Sequence, residues 1–273
     1  HEAGAGPREE MTGLFLALFL LDGPPLTERI AAAPPEIAAY LYLKQDPADR
    51  TARRPMIEEA LRPAALAKRP QPEARSSGTI SPDSLAGKRE EASLQHLDAL
   101  GLQVRAAQAM MSIDPRRALE MTLEIPVPAA AKASCADSLL GRADEYYGLV
   151  LQMGTRGFTA EQRAQGRHLE LFRRAILAAS APQQLLSAVR MVSQSQMISS
   201  NRDILITSLA TALQTAPANW RGFVMTPELA AEARALKSPA VDDAVLAYLR
   251  VQWSGEMCAD SSDDITQQLP QLE

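Results

Sequence analysis

Three histidines and two cysteines are the residues of this 273-residue chain best suited to nucleophilic or metal chemistry. Their spacing assembles none of the usual sites. There is no HExxH pair, and His96 and His168 each stand alone on a predicted helix. His168, in "GRHLELFRR", reads as a surface or partly buried structural histidine rather than a ligand. His1 could bind copper through its amino group and ring only if other imidazoles converged on it, and the helical pattern places none beside it. Cys135 and Cys258 lack CxxC spacing and fall short of the four ligands of a structural zinc site. "CADSSDD" (258–264) gathers oxygen ligands but fails the calcium-loop template, with Ile265 at the glycine position and Gln271 at the bidentate glutamate position. Neither GxxxxGK[ST] nor GxGxxG occurs, so no phosphate-cradling loop is expected. Asp242–Asp243 and Asp263–Asp264 are paired carboxylates without a third acid one turn on. The first pair lies near a helix start, where the macrodipole favours negative charge. No catalytic residue, cofactor or metal is therefore assigned.

Two short stretches carry recognition chemistry instead. "RADEYYG" (142–148) sets Asp144, Glu145, Tyr146 and Tyr147 side by side in a chain with only 4% aromatic residues. Tyrosine and arginine are enriched in interface hot spots, because each joins a large contact area to hydrogen bonding. Consecutive helical positions point in different directions. One ring is therefore expected in the core and the other free for a partner, with core packing of one Tyr and solvation of the acids as the plain alternative. "NWRGF" (219–223) adds Trp220 and Arg221 in a loop, where a Trp plugging the gap between helices is the ordinary reading.

The elements that must position these residues are helices. Ala and Leu are abundant, whereas strand-favouring aromatic residues are few. A capping residue followed by proline at the first helical position recurs at Asp46–Pro47, Ser81–Pro82, Asp114–Pro115, Thr226–Pro227 and Ser238–Pro239. "TAEQ" (159–162) has capping-box spacing. Apolar residues between these points fall at helical intervals; after Pro115, Ala118, Leu119, Thr122 and Leu123 share one predicted face. The pattern predicts helices near 8–21, 35–45, 47–54, 56–69, 83–111, 115–124, 128–152, 159–179, 182–199, 202–215, 227–237 and 239–253. The fold class is all-α, with antiparallel helical hairpins stacked as a short α-solenoid or irregular bundle.

Four parts follow along the chain. Residues 1–69 form a short-helix segment, 70–82 a Pro-, Ser- and Gly-rich linker or mobile loop, 83–253 a helical array and 254–273 an acidic tail. The net charge of −5 argues against a nucleic-acid binder. Basic residues outnumber acids over 44–75, which reads as a solvated face or a contact for an acidic partner. The apolar run at 11–21 covers about half of the ~20 residues a membrane crossing needs, so a buried helix is expected. A chain beginning at His1 rather than Met is expected of a processed protein, with a removed export signal or a cleaved tag as sources. Export, to a periplasm or outside the cell, is the expectation adopted. Both cysteines are expected to be free thiols, Cys135 in a buried apolar row and Cys258 in the polar tail.

"RRAL" (116–119), "RRAI" (173–176) and "RAL" (234–236) recur at separations of about 57 and 60 residues, a spacing that suits a unit of two or three helices. The helix–cap–Pro–helix rhythm resembles tetratricopeptide-like and other α-solenoid proteins. "DPRRALEMTLEIP" (114–126) looks like the second helix of such a hairpin, and the resemblance runs over 94–248. The family's Trp, Leu-Gly and Tyr pattern and its period of about 34 residues are missing. The resemblance implies a curved stack of antiparallel helices offering a partner-binding surface. The expected function is a non-catalytic scaffold or adaptor binding a protein or peptide through Asp144, Glu145, Tyr146, Tyr147, Trp220 and Arg221. The alternatives are an enzyme or small-ligand receptor whose site is assembled from distant helices, or a structural subunit of a larger assembly.

Overall fold

The computed structural model describes residues 25–45, 47, 50–67, 97–128, 143–195, 199–217 and 222–254. The apolar run at 11–21, the linker, the acidic tail, His96, both cysteines, Trp220 and Arg221 lie outside the described residues. The described residues form α-helices and no strand. In chain order they are α1 (Leu26–Ala32), α2 (Pro35–Lys44), α3 (Arg50–Leu66), α4 (Ala99–Met111), α5 (Pro115–Glu124) and α6 (Asp144–Arg156). After these come α7 (Ala160–Ala164), α8 (Arg167–Leu177), α9 (Pro182–Gln194), α10 (Ser199–Thr215), α11 (Gly222–Ala235) and α12 (Pro239–Ser254). None among the described residues is long and apolar enough to cross a membrane.

Local chemistry sets many of these boundaries. The Asp114 side chain accepts from the Arg117 amide at 3.0 Å, and Pro115 occupies the first helical position behind it. Thr159 and Gln162 form a reciprocal capping box at the start of α7. Gly166, at φ 75°, ends α7 and turns the chain into α8, so the single helix predicted over 159–179 is broken where only glycine adopts the conformation without strain. The predicted helix at 83–111 also needs correction, because Asp98 caps α4 and Leu97 before it is not helical.

The α3 helix departs from expectation in the other direction. A break was expected at Pro55, between helices at 47–54 and 56–69, yet one helix runs through both Pro55 and Pro63. The exposed positions of α3 include Thr51, Pro55, Glu59 and Arg62, a stripe at helical spacing. Each proline therefore frees a carbonyl on the side where water can satisfy it. Ile57, Ala60 and Ala64 on the opposite side are buried.

Packing pairs the helices into hairpins: α2 with α3, α4 with α5, α6 with α8, α9 with α10, and α11 with α12. First members line up as one layer (α2, α4, α6, α9, α11), each packed on the next. Second members make the other layer, in which α8, α10 and α12 pack directly. At the N-terminal end of that layer side chains bridge the gaps. Arg54 pairs with Asp114 at 3.0 Å, Arg117 pairs with Glu58 at 3.1 Å, and Arg174 donates to the Leu123 carbonyl at 3.1 Å. Arginine suits these joints because the last carbonyls of a helix lack partners of their own. One apolar core runs from Ile57 to Tyr248, and a smaller cluster of Ala39, Ala64, Ala67, Leu97 and Leu102 closes the N-terminal end. Helices α2 and α3 thus pack onto the array.

The short sequence matches do not mark equivalent places in this stack. "RRAL" and "RRAI" lie on second-layer helices α5 and α8, whereas "RAL" ends first-layer helix α11. The last three hairpins begin at Asp144, Pro182 and Gly222, about 40 residues apart. On α5 the buried face is Ala118, Met121 and Thr122, continued by Ile125, and Leu123 points outward, 41% exposed.

Candidate functional site

Helix α6 is enclosed on three sides, by α4 and α9 within its layer and by α5 and α8 beneath. Its exposed positions are Asp144, Gly148, Thr155 and Arg156; with half-buried Gln152, they recur at helical spacing and form a stripe on the fourth, open side. Helix α9 has the same arrangement, with α6 and α11 at its flanks and α10 below. Gln183, Ser187, Arg190 and Gln194 make its stripe, and Glu228, Ala231 and Arg234 continue the surface on α11. The result is an open face over three neighbouring helices, on which short and amide side chains surround the charged Arg190, Glu228 and Arg234.

Asp144 and Glu145 sit in the first turn of α6, where Ala143 offers no side-chain cap. Their charge complements the free amides and the positive end of the helix dipole. Asp144 is exposed at the rim of the open face, and Glu145 is half-buried beside it.

The two tyrosines do not divide their roles as expected. Tyr146 and Tyr147 are 1% and 2% exposed, so neither ring is free for a partner. The rings meet edge to face with centroids 5.5 Å apart, and the Tyr147 hydroxyl donates to the Ala175 carbonyl of α8 at 3.0 Å. Burial pushes both phenols above their ordinary range; the Arg174 charge offsets part of this for Tyr146. The physical reason is the width of the buried arc. Consecutive side chains differ by about 100°, and neighbours on three sides cover more than that. Both rings therefore support the open face from beneath instead of presenting themselves on it.

Arg190 is the charged centre of the face. Its Nε donates to Glu232 at 3.1 Å and its Nη2 pairs with Glu228, tying α9 to α11. The Glu232 hydrogen bond raises the proton affinity of Arg190 most; burial opposes it, and the Glu228 bond and both carboxylate charges add to the rise. Gln152, Gln183, Ser187 and Gln194 each carry both a donor and an acceptor. The arrangement is equipped to bind peptide groups or polar side chains. No group of three or more His, Cys, Asp or Glu side chains among the described residues is gathered as a metal site.

Sequence reasoning missed the stripes on α9 and α11. Their signal was present as polar or small residues spaced by three and four within apolar helices, but nothing in the sequence says which helices share a layer. No protein-family model, curated protein or solved structure matches the chain.

Proposed function

We propose that the chain is a non-catalytic helical scaffold whose open face over α6, α9 and α11 receives a protein or peptide partner. The observation that carries this reading is Gly148. It lies inside α6, exposed, and beyond its own helix backbone and chain neighbours no atom of the described residues comes within 4 Å of the place a β-carbon would occupy. Glycine inside a helix is less stable than alanine by roughly 0.5–1 kcal/mol. No contact among the described residues accounts for that penalty, whereas close approach of a partner backbone would. The adjoining Ser187 and Ala231 keep the neighbouring surface low, and the amides of Gln152 and Gln183 stand ready for a main chain. Two layers of stacked hairpins are compatible with a tetratricopeptide-like solenoid, in which such a face is the expected place for a ligand.

A photo-crosslinking residue placed at Gln152 or Ser187 tests the reading, with Thr211 on the second layer as control. Partner adducts should form from the first two positions and disappear when Ser187→Arg or Gly148→Trp is added. Equal crosslinking from Thr211, or indifference to the added bulk, would refute the placement.

Exposed Ile204 on α10 and Leu246, 52% exposed, on the adjacent α12 favour a second reading. An apolar outer surface of that kind suits a structural subunit. Light scattering of the Leu246→Glu variant separates the two, since only an assembly held through the second layer would lose mass.

A further inference from the structure

The corner between α6 and α8 is held by very little. Helix α7 buries none of its five residues. Its attachment consists of Phe158, buried in the core before it, and His168, which follows it in the first turn of α8 and is only 7% exposed. The two rings approach with centroids 6.4 Å apart at 61°. Arg163 adds donations to the carbonyls of Thr155 at 3.2 Å and Phe158 at 2.9 Å. Gly166 supplies the left-handed turn that lets the chain re-enter the stack.

His168 is an uneasy wedge for this corner. Its Nδ1 is buried and has no hydrogen-bond partner among the described residues. Gly166 provides no side-chain cap, so the ring lies at the positive end of the α8 dipole. Charged groups on the surrounding elements are Arg156 at the end of α6, Glu161 and Arg163 on α7, and Arg202 and Asp203 near the start of α10. Arg167 and Glu170 share its own helix, and Arg190 of α9 is engaged by two glutamates. Arg202 is turned to the Leu236 carbonyl at 2.6 Å. Arg163 is the charge that bears on the imidazole, and it repels a proton.

We propose that His168 is a pH-operated latch: the neutral imidazole pins residues 157–168 against the end of α6, and its protonation releases them. An imidazolium here would be a buried charge with no acceptor for its Nδ1–H among the described residues, at a helix N-terminus and beside an arginine. All three effects act in one direction. Burial first, then Arg163, holds the imidazole below its ordinary value. The open corner therefore binds a proton more readily than the closed one. Closure is fully favoured above about pH 6.5, the value of a free imidazole, and weakens as pH falls from there toward the folded value. Thr155 and Arg156, the last residues of α6, border the released segment, so acidification loosens one edge of the open face. The latch rests on the packing of the ring, independently of any partner.

The test is an imidazole NMR titration of the full chain, combined with hydrogen exchange corrected for intrinsic rates. The His168 midpoint should fall below about 6.5, and protection of residues 158–166 should drop by up to roughly tenfold for each unit of that shift, while α9 and α10 keep theirs. The His168→Phe variant, which keeps a ring but cannot titrate, should hold the corner closed in acid. A midpoint at or above about 6.5, unchanged protection on acidification, or the same loss in His168→Phe would each overturn the latch. If the variant fails to fold, the wild-type titration and exchange decide alone.

Discussion

The same substitution at two glycines six residues apart on α6 should have opposite effects. Gly148 faces open space, so Gly148→Ala gains the intrinsic helical preference of alanine, roughly 0.5–1 kcal/mol. Gly154 faces α8. A β-carbon there would lie 2.2 and 2.3 Å from two ring carbons of Phe172, which is fully buried. Ordinary carbon contacts begin near 3.5 Å, so the ring or the whole helix must retreat by more than about 1 Å. Overpacking of that kind costs about 1–3 kcal/mol, occasionally more. Set against the same helical gain, Gly154→Ala should be destabilising by up to about 2.5 kcal/mol, occasionally more. Urea unfolding followed by circular dichroism measures both; at roughly 2–4 °C per kcal/mol, thermal scans should also rank the variants on either side of the parent. Trimming the ring supplies an internal control: Gly154→Ala with Phe172→Leu should be more stable than the sum of the single changes requires. If Gly154→Ala is as stable as Gly148→Ala, α6 and α8 do not approach as described, and the layer that carries the open face is wrong.

Further outcomes can be checked on the same equipment. Tyr147→Phe removes the bond to the Ala175 carbonyl and should destabilise by about 1 kcal/mol. Tyr248→Phe should be neutral or stabilising in urea unfolding, because that buried hydroxyl has no hydrogen-bond partner among the described residues. Arg117 engages Glu58, Glu120 and Glu124, and Arg117→Met should lower stability by about 1 kcal/mol at low salt and by less in high salt, measured as denaturation midpoints at two ionic strengths. Ser187→Arg should leave the circular dichroism spectrum unchanged while weakening partner capture severalfold in a pull-down; an intact interaction would remove the open face from consideration.

The fold class was legible because it rests on local chemistry. Asp114, Pro115, Thr159, Gln162, Pro182 and Pro239 each act within one turn of their own position, and each stands where its helix begins. Interruptions were less legible, since their outcome depends on what surrounds them. Pro55 looked like a helix boundary, but it falls on the solvent side of a helix clamped by buried Ile57, Ala60 and Ala64. Gly166 looked tolerable within a helix and instead takes the left-handed conformation that ends one.

The candidate face shows the same division between local and distant causes. Asp144 and Glu145 were visible as polar residues but were expected inside one helix over 128–152; Ala143 is not helical, and the two acids instead open α6, Asp144 exposed and Glu145 half-buried. Their tyrosine neighbours were misplaced because the number of helices enclosing α6 cannot be read from α6 itself. A helix on a bundle surface with one or two neighbours hides a narrow arc, and one of two adjacent rings would then face water. A helix flanked within its layer and covered from beneath hides both. That enclosure also restricts what α6 can show to a partner: the stripe of Asp144, Gly148, Gln152, Thr155 and Arg156, with no large ring among them. If the proposed face does receive a partner, recognition there rests on main-chain approach and amide hydrogen bonds rather than on an aromatic anchor. The glycine at its centre, which the isolated helix would do better without, fits that mode of binding and has no role among the described residues.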